Sequence, residues 1–221
     1  MTEDTSLEAL RLRLAPAIAE AAAFDGWKPA AIAAAAEAEN VDPALAAFAF
    51  ESGAQSAPMA MISAWIARID VDMAEALLAA QLGNLPIRER IRRLVQFRLD
   101  AIVGKEEALR RALAIMAMPQ NVAAAARLGW SSADAMWRLA GDVATDYNHY
   151  TKRMTLGSIY AATLAFFAQD TSEGHEETRA FLGRRIENVM QFERAKAKLL
   201  KPRDEVFLPM RVLGRLRYPA A

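Results

Sequence analysis

The sequence predicts an all-α protein, and three observations carry that reading. More than half of its residues are apolar (54%) while 24% are charged, a balance that supports a packed core rather than disorder. Ten glycines and nine prolines are few for 221 residues, and they punctuate segments whose apolar residues recur with a helical period. Alanine dominates and β-branched residues are scarce, which favours helix over strand.

Each element follows from a local signal. Ser6 to Phe24 carries Leu7, Leu10, Leu14, Ile18 and Ala21 at helical spacing. Pro29 opens a second helix, to about Glu39, because a proline in the first turn forfeits no internal hydrogen bond. Asn40-Val41-Asp42 reads as a turn, with Asp42 capping a short third helix from Pro43 to Phe50. Ser56-Ala57-Pro58 starts a long helix to about Ala80, which Gly83-Asn84 stops. Pro86 opens an Arg-rich helix to Val103, and Lys105–Ala117 follows Gly104. Pro119 begins a short helix ending at Gly129. Ser131, with Asp134 three residues on, resembles a capping box and begins the helix that carries a dense polar string, AGDVATDYNHYTKR. Further helices cover Lys152–Gln169, Glu176–Lys201 and Asp204–Tyr218. The expected organisation is a three-helix unit (1–52), a helical bundle (53–202) and a basic amphipathic terminal segment (203–221).

Three short helices before a long-helix bundle is the layout of TetR-type regulators, so a ligand-responsive DNA-binding regulator is the alternative function to weigh. From Pro29 to Ala67 there is no Lys or Arg, while Glu37, Glu39, Asp42 and Glu51 are acidic. A DNA reader needs cations for phosphates and Arg, Asn or Gln for base edges. Pro43–Phe50 offers neither, and no nucleic-acid partner is expected. Charge is divided unevenly: residues 1–67 hold nine acidic and three basic residues, and residues 194–221 hold eight basic and two acidic.

Catalytic patterns are thin. The chain has no cysteine, which removes disulfides and thiolate chemistry. No Gly-x-Ser-x-Gly elbow and no Gly-rich phosphate loop occurs. Asp146-x-x-His149 echoes half of a di-iron motif, without the second copy and carboxylates such a site requires. No catalytic residue, metal or cofactor is therefore expected. No apolar run is long enough to cross a membrane; the best, Ser52 to Ala67, is short and contains Pro58.

On a continuous helix Asp142, Asp146, His149 and Arg153 would form one stripe beside an apolar one of Met136, Leu139, Ala140, Val143, Tyr147, Tyr150 and Met154. That combination predicts a protein-docking surface built on Met136, Leu139, Asp146, His149, Tyr150 and Arg153. At the other end, Phe207, Met210 and Leu213 alternate with Arg211, Arg215 and Arg217, the pattern of a segment that lies on an anionic membrane surface.

The string Ala140-Gly141-Asp142, Thr145-Asp146, Asn148, Tyr150-Thr151-Lys152-Arg153, Leu156, Ile159-Tyr160, Thr163 and Asp170, continued through Thr178, Phe181-Leu182 and Arg185-Ile186, closely resembles the ninth Coq protein family. The resemblance implies a TetR-like fold whose bundle holds lipid, including isoprenoid, in a hydrophobic cavity. It also implies an accessory role in ubiquinone biosynthesis: the protein presents a quinone intermediate to a di-iron hydroxylase that it docks, with a terminal helix on the membrane. Candidate lipid-binding residues are Met116, Trp137, Tyr160, Leu164, Phe167, Phe181 and Met190, since Met and aromatic side chains line adaptable apolar sites. His149 stands where many eukaryotic relatives carry Trp. A homodimer is expected. The acidic start MTEDTSLEAL points to a bacterial, cytoplasmic protein, peripheral on the inner face of the plasma membrane.

Overall fold

The computed structural model describes residues 6–51, 53, 55–77, 82–143 and 147–200, with the side chains of residues 147–148, 190 and 192–200 outside that description. Among the described residues there are nine α-helices and no strand. They are α1 (Leu7–Asp25), α2 (Pro29–Ala38), α3 (Pro43–Glu51), α4 (Ala57–Ala76), α5 (Ile87–Asp100), α6 (Glu106–Met116), α7 (Val122–Leu139), α8 (Tyr147–Phe167) and α9 (Glu176–Leu200). A short 3-10 turn, Glu173–His175, precedes α9. No described helix is long and apolar enough to cross a membrane.

α1 is the hub, packing on α2, α3, α4 and α6. Ser6 Oγ caps it by accepting from Ala9 N at 3.1 Å, which satisfies one of the amides a helix start leaves open. Its inward stripe is Leu14, Ala15, Ile18, Ala19 and Ala22, so alanines rather than larger residues let α2 and α4 approach closely. Asp42 Oδ1 accepts from Leu45 N at 2.8 Å and starts α3 as expected. Arg11 and Arg13 donate to the carbonyls of Ala49 and Glu39. Two of the few cations near the N-terminus therefore tie the three-helix unit together. The outer face of α3 shows Leu45 and Phe48 between exposed Asp42 and Glu51.

One apolar core runs from Leu14 on α1 to Ile186 on α9. The compact units are Met1–Ile186 and Glu187–Ala221. The expected division at 52/53 separates no cores, because Leu14 and Phe50 share theirs with Met61 and Leu94. Trp27 shows the joining: its Nε1 donates to Ala108 O at 3.0 Å and its ring lies 5.5 Å from that of Trp65. Residues 203–221, with Phe207, Met210, Arg211, Leu213, Arg215 and Arg217, lie outside the described residues.

Helix boundaries around the polar string differ from expectation, and α8 starts at Tyr147 rather than Lys152. α7 runs unbroken through Gly129 and Ser131. A mid-helix glycine costs about 1 kcal/mol, a cost this helix carries at Gly129, where a Cβ would meet no other atom within 4 Å. A Cβ at Gly157 on α8 would lie 3.8 Å from Gly129 O and 3.9 Å from Ala133 Cβ. The helix then stops inside the polar string. Gly141 adopts φ +86°, its N–H donates to Arg138 O, and Asp142 N–H donates to Trp137 O, both at 2.9 Å. That is a Schellman C-cap, in which a left-handed glycine reverses the chain. Asp142 therefore sits in a corner before α8, and the stripe expected along one helix does not form.

Candidate functional site

The corner between α7 and α8 gathers most of the unusual polar residues. Arg153, 2% exposed, donates to Asp134 Oδ1 at 2.5 Å, Asp142 Oδ2 at 3.0 Å and His149 O at 3.1 Å. Lys152 Nζ donates to the other Asp142 oxygen at 2.7 Å and stands 5.3 Å over the Trp137 ring. Trp137 Nε1 in turn donates to Lys152 O at 3.0 Å. Arg90 locks the turn from α5, donating to Ala140 O at 2.8 Å, Gly83 O at 2.7 Å and Leu85 O at 2.8 Å. A Cβ at Gly141 would meet Arg90 Nη1 at 3.2 Å, so the positive φ favours glycine there and any larger residue would also push the Arg90 head aside.

This geometry corrects the expected docking surface. Met136 is fully buried, Arg153 nearly so and Leu139 partly packed on the core, and Arg153 turns to Asp134 on α7 rather than to solvent. Asp146 lies outside the described residues. What reaches the surface is aromatic. Tyr150 is 58% exposed, with its ring 5.2 Å from His149 and 6.0 Å from Trp130. Met154, one turn along α8, and Val143 in the corner are also exposed. The arrangement is an apolar patch seated on a rigid ion-paired base.

Of the expected lipid-binding residues, Tyr160 and Phe167 are buried in the core, and Met116, Trp137 and Leu164 pack partly buried against it. Phe181 stacks on Phe166 with ring centroids 4.7 Å apart. The Met190 side chain lies outside the described residues.

A second polar group, not foreseen, is buried beside Tyr160. Arg98 is 1% exposed, pairs with Asp70 on α4 through Nη1, and donates from Nη2 to Ser132 Oγ at 2.9 Å. Its guanidinium carbon lies 4.9 Å from the Tyr160 ring centroid. Burial pushes the Asp70 carboxyl above its usual range even though Arg98 favours the ionised form. The sequence held a sign of this: Ile91, Leu94, Val95, Arg98, Leu99 and Ile102 share one helical phase, so Arg98 occupies a core position.

The turn between α8 and α9 is held by Asp170, which accepts from Ser172 N and Thr178 N, each at 2.9 Å, and from both hydroxyls, each at 2.6 Å. Burial alone would raise this carboxyl, but the four hydrogen bonds outweigh it and hold it well below the ordinary 3.8. A depressed folded-state value adds stability above the unfolded value and loses it as pH falls through that value towards the folded one. We expect the urea midpoint of the wild type to exceed that of Thr178→Val at pH 7. The gap should shrink below about pH 4, where the unfolded carboxyl protonates. A constant gap from pH 7 to 2 would show that Asp170 is not the group responsible.

Residues 122–193, spanning α7, the corner, α8 and the first part of α9, match the model of the COQ9 family. The chain is similar to "Ubiquinone biosynthesis protein COQ9, mitochondrial" of Rattus norvegicus, 32% identical over 206 residues, covering 92% of this chain and 65% of that protein. The Homo sapiens protein of the same name is 31% identical over 206 residues, again 92% of this chain and 64% of that protein. The chain thus spans somewhat less than two thirds of the length of these relatives. Among solved structures it is similar to a TetR transcriptional regulator from Nitrosomonas europaea, with TM-score 0.64 and 22% identity over 82% of this chain and 98% of that one. That likeness shows the TetR-like fold.

The relatives are named as mitochondrial, which overturns the expectation of a bacterial plasma-membrane protein. The acidic start behind that expectation describes one end of a chain that covers 65% of its rat relative, and does not decide the compartment. The matched family model over residues 122–193 and the relatives aligned along 206 residues lead to one conclusion: the chain is similar to the COQ9 family.

Proposed function

We propose that this protein is an accessory factor of ubiquinone biosynthesis: it binds a lipid, an isoprenoid quinone intermediate, and docks the di-iron hydroxylase that acts on it, without itself catalysing the step. The observation that carries the reading is the 206-residue similarity to proteins named for ubiquinone biosynthesis. The Trp130–His149–Tyr150 group, half-buried except for the exposed Tyr150, supports docking, because an aromatic centre on a preorganised base loses little entropy when a partner covers it. The lipid would lie among Met116, Trp137, Tyr160, Leu164, Phe167, Phe181 and Met190. Phe207, Met210 and Leu213 would rest on a membrane, flanked by Arg211, Arg215 and Arg217, and two copies would associate as a homodimer.

The decisive experiment is native mass spectrometry of protein purified from quinone-producing cells, followed by solvent extraction. A prenylated quinone or its precursor is expected in the extract. A long tail gains about 0.8 kcal/mol per buried methylene and resists washing. Protein that emerges without any apolar ligand and still supports quinone synthesis in cells would overturn the lipid-binding part of the reading.

A further inference from the structure

α3 gives only part of its surface to the core. Ala46, Ala49 and Phe50 are buried, whereas Leu45 and Phe48, one turn apart, are 47% and 57% exposed. A single exposed apolar residue needs no explanation. Here two adjoin, and an exposed carboxylate stands at each end of the helix, Asp42 at its start and Glu51 at its last residue. The surroundings carry the same sign. No Lys or Arg occurs from Pro29 to Ala67. Glu39 is met by Arg13 from α1, but Glu37, Asp42 and Glu51 form no ion pair among the described residues. The face is apolar at its centre and anionic at its rim.

We propose that the outer face of α3 docks a cationic amphipathic helix of a partner protein, with Leu45 and Phe48 as the apolar anchors and Asp42 and Glu51 each facing a Lys or Arg. Charge selects this occupant. A nucleic acid or an anionic membrane would bring phosphates against the carboxylates, and the α3 of a second copy would bring the same two acids. A helix with two apolar residues one turn apart and a cation at either end matches both features. Nine residues of α3 set those cations about 13 Å apart. The apolar pair supplies the anchors usual when one helix lies on another, and the opposed charges fix its register. A contact of one short helix is small, so the complex is weak and transient. This surface uses other helices than the α7–α8 corner and depends on neither lipid nor hydroxylase.

The test titrates the full chain, at low salt, against a labelled alanine-rich helical peptide of pattern Lys-x-x-Leu-x-x-Leu-x-x-Lys, followed by anisotropy. Versions with Glu for Lys and with Ser for Leu are the controls. The lysine peptide should bind about tenfold more tightly than either. Phe48→Ala should weaken it about tenfold. The double variant Asp42→Asn/Glu51→Gln should weaken it about fivefold; Asn still caps α3, so this variant is the measure if Phe48→Ala does not fold. In cells, a photo-crosslinking amino acid in place of the exposed Ala44 should capture a segment of another protein bearing two cations around an apolar pair, and Phe48→Ala should abolish that adduct. Lysine and glutamate peptides binding alike, or neither binding, would overturn the docking face. A cross-link to residues 203–221 or to the α3 of a second copy would make the occupant this chain itself and overturn the partner assignment.

Discussion

Asp142→Ala is expected to lower unfolding stability by about 3 kcal/mol, because it leaves Arg153 buried with one of its two carboxylate partners gone. The full penalty of an unpaired buried charge would be larger, but Asp134 stays at 2.5 Å and retains part of the pairing. For a domain of this size the loss corresponds to a fall of roughly 10 °C in melting temperature. Arg138→Ala is the control. It also contacts Asp134, at 2.8 Å, but is 75% exposed, and exposed pairs contribute about 0–1 kcal/mol. Calorimetry of both variants checks the claim. Equal, small shifts would mean that the corner is held by backbone and packing, with the ion pairs incidental.

Under the docking proposed above, Tyr150→Ala is expected to weaken binding of the hydroxylase about 30-fold while leaving the protein folded. The size follows from the roughly 2 kcal/mol that a central aromatic residue contributes at an interface. Loss of the ring contacts to Trp130 and His149 should cost only about 1 kcal/mol of stability. Met136→Ala provides the contrast. Its side chain is fully buried, so the variant should lose about 2–5 kcal/mol of stability through a core cavity. Any weaker binding by Met136→Ala would follow from unfolding. Titration of the hydroxylase against each variant, with melting curves alongside, separates the two effects. Undiminished affinity in folded Tyr150→Ala would remove the aromatic patch from the interface.

Helix starts were legible because their signals are local. Ser6 and Asp42 are caps in sequence and in structure, and Pro29 stands in a first turn. The stop at Gly141 was legible by the same rule, a glycine following an apolar helix and ending it with φ > 0. Reading Ser131 and Asp134 as a capping box concealed it. Neither caps a helix: Asp134 binds Arg153 on α8 and Arg138 one turn along its own helix, while Ser131 lies exposed in mid-helix. The spacing of Asp142 and Arg153 suited a shared helix face, yet they meet across a chain reversal. Two geometries predict the same proximity, and spacing alone could not separate them.

Taken by itself, the sequence determined the all-α class, the TetR-like order of helices, and the likeness to the COQ9 family through its polar string. Caps, prolines and the apolar period act over a few residues, and a string of unusual residues needs no coordinates to be compared. Only the tertiary structure decided which way the polar residues face. Arg153 and Arg98 carry the same charge as Arg138, yet the first two are buried against carboxylates of other helices, Asp134 and Asp70, and the third is in water. Whether a guanidinium stays in water or becomes a buried lock depends on what another helix brings within 3 Å or so, and that is a property of packing rather than of neighbours along the chain.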